Sequence, residues 1–209
     1  MPDGPGRLDA GVAGRALPGE QHSGDLAVLV PHGDGVLAAV IDGLGHGADA
    51  AAAATTAAAV LEGAPGADVA ALIDRCHAAL RKTRGAVMTV AWFDLAAAHL
   101  RWVGVGNVEA RLLRAGSPPG RTEGPLTKGG VVGFQLPDVR VSTTTLADGD
   151  VVVLATDGIA PAFSEAVGPG SAQANADRIL ERHARASDDA LVVVLRHLAA
   201  PARPTMEGP

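Results

Sequence analysis

The chain has 209 residues, 47% of them hydrophobic but only 2% aromatic, so one domain with a core of Ala, Val and Leu is expected and no ring-stacking platform for bases or sugars. Its 17 Lys and Arg against 23 Asp and Glu leave a net charge of −6, the wrong overall field for a phosphate backbone, so no nucleic acid partner is expected. The lone Cys76 cannot form an internal disulfide; it shares a helical apolar pattern with Leu72, Ile73 and Leu80 and reads as a buried small hydrophobe.

The N-terminal MPDGPGRLDAG lacks the basic start and apolar stretch of a secretory signal. The most apolar run, 50–61, is interrupted by Thr55 and Thr56 and is too short to cross a bilayer, so a cytoplasmic protein without membrane association is expected. Residues 1–20, rich in Gly and Pro, read as an irregular arm or edge segment, 21–199 as the domain, and 200–209 as a disordered tail. Apolar runs at 26–30 and 36–41 around Pro31-His32-Gly33-Asp34-Gly35 predict a β-hairpin. After Asp42-Gly43-Leu44-Gly45-His46-Gly47, the alanine-dense stretch 48–61 predicts a closely packed helix, and the spacing of Val69, Leu72, Ile73, Cys76 and Leu80 predicts a second over 67–82. Strands are expected at 87–93, 99–105, 110–114, 139–146 and 151–156, with a mobile surface loop over 115–133. A helical turn at 159–166, a helix at 172–186 and a last strand at 190–198 complete the order. Without regular βαβ alternation, this order predicts an α+β fold of antiparallel sheets covered by helices.

The acids fall where these strands end. Asp25 precedes the first hairpin strand, Asp42 ends the second, Asp157 follows 151–156, and Asp188-Asp189 opens the last strand. Antiparallel pairing can bring such ends to one edge, where carboxylates repel unless a cation neutralises them. Asp42-Gly43 and Asp157-Gly158 each let the backbone turn sharply or offer a carbonyl to an ion. Hard oxygen donors suit Mg²⁺ or Mn²⁺ better than zinc, and the histidines show no metal-site spacing.

Four motifs stand in order over 19–198: Ser23-Gly24-Asp25; Asp42-Gly43-Leu44-Gly45-His46-Gly47 opening an Ala-rich helix; Ala155-Thr156-Asp157-Gly158; and Ser187-Asp188-Asp189-Ala190 before a Val-rich strand. Together they resemble the SpoIIE-type branch of the PPM (PP2C-like) metal-dependent protein phosphatases. The Asp-Gly-x-Gly-His-Gly element is the most specific part. The short length and Gly104-Val105-Gly106-Asn107-Val108 look like the stand-alone RsbX-type members.

The resemblance implies an αββα sandwich of two mainly antiparallel β-sheets flanked by helices, with two divalent cations, Mn²⁺ or Mg²⁺, at one edge. It implies that Asp42 bridges the two ions, that the Gly43 carbonyl binds one, and that Asp157 and Asp188 bind the other. Asp25 would act at the margin, with Asp189 and Gly158 behind the ligands. The implied reaction is hydrolysis of phosphoserine or phosphothreonine by a metal-bridging hydroxide. His46 is the nearby candidate for the proton donor to the leaving oxygen, and equally a helix-start residue bonded to a backbone carbonyl. The implied partners are phosphorylated STAS-domain or stressosome proteins of a bacterial stress-signalling, partner-switching pathway. No arginine that grips the phosphate is assigned, since the surroundings of Arg15 do not match the pattern. Leu191 replaces a frequent hydroxyl residue, and Asn107 reads more as a turn residue than as a substrate contact. Two alternatives stay open: a catalytically weak binding module for a STAS or anti-sigma partner, and a small phosphate-ester hydrolase whose choice is set by the loop 117–133.

Overall fold

Residues 7–118 and 121–198 are described by the computed structural model of the chain. In chain order the elements are β1 (Arg7–Arg15), β2 (Asp25–His32), β3 (Gly35–Gly43), α1 (Ala48–Glu62), α2 (Val69–Leu80), β4 (Ala86–Asp94), β5 (His99–Val105) and β6 (Glu109–Leu113). There follow β7 (Thr122–Glu123), β8 (Thr127–Lys128), β9 (Ser142–Thr145), β10 (Val151–Ala155), a 3-10 turn (Pro161–Ala166), α3 (Ala172–His183) and β11 (Ala190–Leu198). One sheet runs β1-β11-β10-β6-β7 and the other β2-β3-β4-β5-β8, with β9 also paired to β5. Only the short β5–β8 pairing is parallel among the described residues.

Side-chain alternation sorts the apolar residues into three layers. On β3, Leu37, Ala39 and Ile41 face α1 and α2, meeting Ala53, Ala57, Leu61, Leu72 and Cys76. Ala38 and Val40 point the other way, into an inter-sheet core with Phe93, Trp102, Leu154 and Val193. Val153, Val192 and Val194 face outward from the second sheet onto Phe163, Ala172, Ala176 and Ile179. The result is helix, sheet, sheet, helix, the αββα sandwich the sequence resemblance implies. Alanines on α1 let that helix sit close to its sheet, which is why its packing face carries so few large side chains.

Three segments differ from their reading in the sequence. Residues 7–15, within the segment read as an irregular arm or edge, form β1, paired with β11 from Arg7 opposite Leu198 to Arg15 opposite Ala190. Its glycines look like breakers but serve a close approach: a Cβ on Gly11 would fall 2.3 Å from the Gln173 nitrogen of α3. The stretch read as a mobile loop is pinned where it is described, by β7, by β8, and by Val132, which exchanges backbone hydrogen bonds of 2.9 and 3.0 Å with Ala86. Pairings of two residues leave no alternation for a sequence to display. The strand expected over 139–146 is shorter, β9 alone, while the helical turn read at 159–166 is present as a 3-10 turn with Pro161 at its start. The tail 200–209 lies outside the described residues.

The start of β10 is anchored by Asp150, 1% exposed, which the sequence reading did not single out. Its carboxylate accepts from Arg114 Nη1 at 2.8 Å and from the backbone N–H groups of Ala115 and Ala147 at 2.9 Å each. Arg114 also forks onto Glu123, tying β6 to β7. Removing a buried partner of such a pair leaves its donors uncompensated. Asp150→Ala is therefore expected to lower stability by about 3 kcal/mol, read as a fall in the urea midpoint; an unchanged midpoint would contradict this assignment.

Candidate metal centre

The alternation that fills the inter-sheet core also aims the acids. Asp42 follows Ala38 and Val40 on the inter-sheet face of β3, and Asp25 of β2 is its direct cross-strand partner. On β11, Asp189 precedes Leu191 and Val193 on that same face; beyond β10, Thr156 follows Val152 and Leu154. Asp157 and Asp188 lie on the turns just outside. Four strand ends thus meet at one end of the sandwich, and Asp42, Gly45, His46, Asn107, Asp157 and Asp188 line an open cleft there.

A hydrogen-bond frame holds the acids. The Thr156 hydroxyl donates to Asp25 Oδ2 at 2.7 Å and accepts from the Leu191 N–H at 3.0 Å, joining the two sheets. Asp189, 3% exposed, accepts from the N–H groups of Leu17 and Gly24 at 2.7 Å each, so it fixes the chain entering β2. The Asp189 N–H in turn donates to Asp188 Oδ1 at 2.9 Å. Asn107 Nδ2 donates to Asp157 Oδ2 at 2.7 Å, so this residue does more than form the turn read from the sequence. His46 Nδ1 stands 2.7 Å from Glu20 Oε1, and the imidazole is 63% exposed. Its partner is a carboxylate rather than the backbone carbonyl considered from the sequence. Thr156 lies inside a quoted motif and could have been singled out there; the pairing of His46 with Glu20, across 26 positions, leaves no local signal.

The two Asp-Gly pairs are set by close packing. A Cβ on Gly43 would lie 2.1 Å from the Ala50 carbonyl oxygen, and one on Gly158 would lie 1.8 Å from that of Asp189. Only glycine lets α1 begin against the end of β3 and lets the turn after β10 run against the start of β11.

Electrostatically the cluster is under strain. Burial, and then the charges of Asp25, Asp157, Asp188 and Asp189, push the Asp42 carboxyl up to about 8. Burial raises Asp25 to about 7, with further upward pressure from Asp189, Asp157 and Asp188 and relief from the Thr156 hydroxyl. Asp157 is raised by burial and by Asp188, against the opposing charge of Arg185. Among the described residues no group of three or more His, Cys, Asp or Glu side chains stands ready-made around a metal position. The donor set nevertheless fits a cation in kind: hard carboxylate oxygens with a neighbouring backbone carbonyl, mutually repelling, and compensated by no buried cation within the cluster.

The family model described as Stage II sporulation protein E (SpoIIE) matches residues 32–206. Over 182 residues the chain is 25% identical to the phosphoserine phosphatase RsbX of Bacillus subtilis (strain 168), spanning 87% of this chain and 90% of that one. Among solved structures, a chain from work on the bacterial stressosome as a modular system adapted to control secondary messenger signaling is 29% identical with a TM-score of 0.82, covering 91% of this chain and 100% of that one. A crystal structure of RsbX in complex with magnesium superposes with a TM-score of 0.81 at 22% identity, covering 91% and 95% of the two chains, a likeness of fold.

Proposed function

The chain belongs to the SpoIIE family of PPM-type phosphatases, and from that premise we propose that it hydrolyses phosphoserine or phosphothreonine on proteins, using two divalent cations, Mg²⁺ or Mn²⁺. The observation that carries this reading is the convergence of Asp25, Asp42, Asp157 and Asp188 from four strand ends, with Asp25 and Asp42 pushed up to about 7 and about 8 by burial and mutual repulsion. Asp42 would bridge two cations, with the Gly43 carbonyl on one, Asp157 and Asp188 on the other, and Asp25 at the margin. Cations held by these residues would supply Lewis-acid activation of a water nucleophile and offset the charge of the phosphoryl oxygens.

The chain's own groups orient this centre. The Asn107 amide holds one oxygen of Asp157, leaving the other directed by that contact. Thr156 holds Asp25 against the second sheet, and Asp189 keeps the Leu17–Gly24 approach fixed relative to Asp188. Glu20 orients the His46 ring and favours a proton on Nδ1; His46 lines the cleft, and in its doubly protonated form the other ring nitrogen carries the proton we assign to the leaving serine or threonine oxygen. A thiol phosphoenzyme has no support: Cys76 is fully buried, and burial pushes its thiol up to about 12.

The cleft is open, which suits a phosphorylated side chain presented on a protein surface. With the likeness to RsbX and to a stressosome chain, this favours phosphorylated STAS-domain or stressosome proteins of a bacterial partner-switching stress pathway as substrates, met in the cytoplasm. No helix among the described residues is long and apolar enough to cross a membrane. Phosphate release from a phosphoserine peptide and from p-nitrophenyl phosphate, compared in Mn²⁺, tests the substrate class. Turnover of the peptide is the expected result; activity on the small ester alone would replace the phosphoprotein reading with a small-ester hydrolase.

A further inference from the structure

The acid cluster creates a difficulty on the substrate side. A phosphate monoester carries nearly two negative charges at neutral pH and must enter a cleft walled by aspartates. Metal cations offset part of this repulsion, and a cationic side chain at the rim of the cleft would offset more of it.

Three arginines stand near enough to consider. Arg84 lies against Gly45, with Nη1 2.9 Å from where a Cβ would be, but its Nη2 is engaged by Asp49 at 2.7 Å. Arg15 borders a separate depression beside Asp177 and Glu181 rather than the acid cleft, and its Nη2 donates to the Arg185 carbonyl at 2.9 Å. Arg185 differs from both. Its N–H donates to the Gly158 carbonyl at 2.7 Å, next to Asp157, and its own carbonyl is the one Arg15 holds. The backbone is therefore fixed on both sides, two residues before the cleft-lining Ser187. The side chain is exposed, and its guanidinium makes no hydrogen bond or ion pair among the described residues. Its charge is nonetheless felt at Asp157.

An arginine beside an aspartate cluster ordinarily pairs with it. This one has its backbone clamped beside the cleft and its five N–H donors unused, so it is free to bind an anion arriving from solvent. We propose that Arg185 binds the phosphoryl group of the substrate, with Arg15 acting as the positioning residue that holds the Arg185 backbone. This rests on the phosphatase reading above and gives Arg15 a role the sequence pattern did not suggest.

The test uses the full chain in Mn²⁺ with a phosphoserine peptide, alongside calorimetric titration with inorganic phosphate. Arg185→Gln is expected to raise KM and weaken phosphate binding by the same factor, roughly 10–100-fold, the scale of losing hydrogen bonds to a charged group, with kcat changed less than about 3-fold. Arg185→Lys should recover part of the loss, because it keeps the charge without the fork. Arg15→Gln should give a smaller rise in KM, and Arg182→Gln, which removes an exposed charge from the end of α3, should leave both constants unchanged. Thermal midpoints of the Arg185 variants should match the parent, since the clamp engages only the backbone N–H and carbonyl of Arg185. An active parent with KM and phosphate affinity unchanged in Arg185→Gln, or with kcat alone reduced, would overturn the proposal for Arg185. A parent with no metal-dependent turnover would instead overturn the phosphatase reading beneath it.

Discussion

Asp157→Asn is expected to lower metal-dependent turnover by roughly 10²–10³-fold, the scale of losing one organised electrostatic group, while making the metal-free protein more stable. The two effects share one cause. Asparagine is nearly isosteric, and its amide oxygen can still accept from Asn107 Nδ2, so the frame survives the change. The lost charge is one that burial and Asp188 already penalise in the fold, so its removal relieves repulsion. It is also a charge the proposed cations require. Asp42→Asn should behave in the same way with a larger gain in metal-free stability, because Asp42 is pushed up to about 8 with burial as the largest cause. Phosphate-release assays and thermal melts in EDTA check both sides. Variants that keep full turnover, or that melt lower than the parent without metal, would contradict the placing of function over stability at these positions.

Raising the pH from 6 to 9 in EDTA is expected to lower the thermal midpoint by roughly 5–10 °C. Asp25 and Asp42 have folded values of about 7 and about 8 against an ordinary 3.8. A group whose value is raised on folding contributes stability that is fully present below its unfolded value and is lost as pH rises through its folded value. The loss therefore begins near the ordinary value of 3.8 and is complete once the pH has passed the folded values of about 7 and about 8, so its upper part lies between pH 6 and 9. One unit is worth about 1.4 kcal/mol; allowing for partial solvent contact and for coupling between the two acids leaves ~3 kcal/mol, or the stated range for a chain of this size. Saturating Mn²⁺ should remove the slope, since a cation binds the deprotonated cluster and stabilises the fold by mass action. A flat profile in EDTA, or an equal slope in Mn²⁺, would contradict the electrostatic description of the site.

What the sequence disclosed and what it concealed follow from the range of the interactions. The hairpin around Pro31–Gly35 and the strands His99–Val105 and Ala190–Leu198 were legible because turn chemistry and apolar runs are local signals. The acids were legible as strand-end residues, and alternation in antiparallel sheets then leaves little choice about where they gather. β1 was concealed because its glycines answer to the approach of α3, a contact between residues 11 and 173. The pinning of 121–133 was concealed because pairings of two residues carry no period. The frame around the acids, Thr156 to Asp25 and Asp189 to Leu17 and Gly24, spans well over a hundred positions, and no window of sequence holds both partners. Asp150 was passed over for the same reason: in Ala147-Asp148-Gly149-Asp150 it has the appearance of a turn residue, and only the arrival of Arg114 shows it to be buried and bonded.

The most direct test of the central claim is phosphate release from a phosphoserine peptide by protein stripped with EDTA and then supplied with Mn²⁺ or Mg²⁺. No turnover is expected in EDTA, with turnover restored by either ion in the parent and lower by at least roughly 10²-fold in Asp42→Asn. Turnover that persists in EDTA, or folded protein that stays inactive in both metals, would contradict the claim.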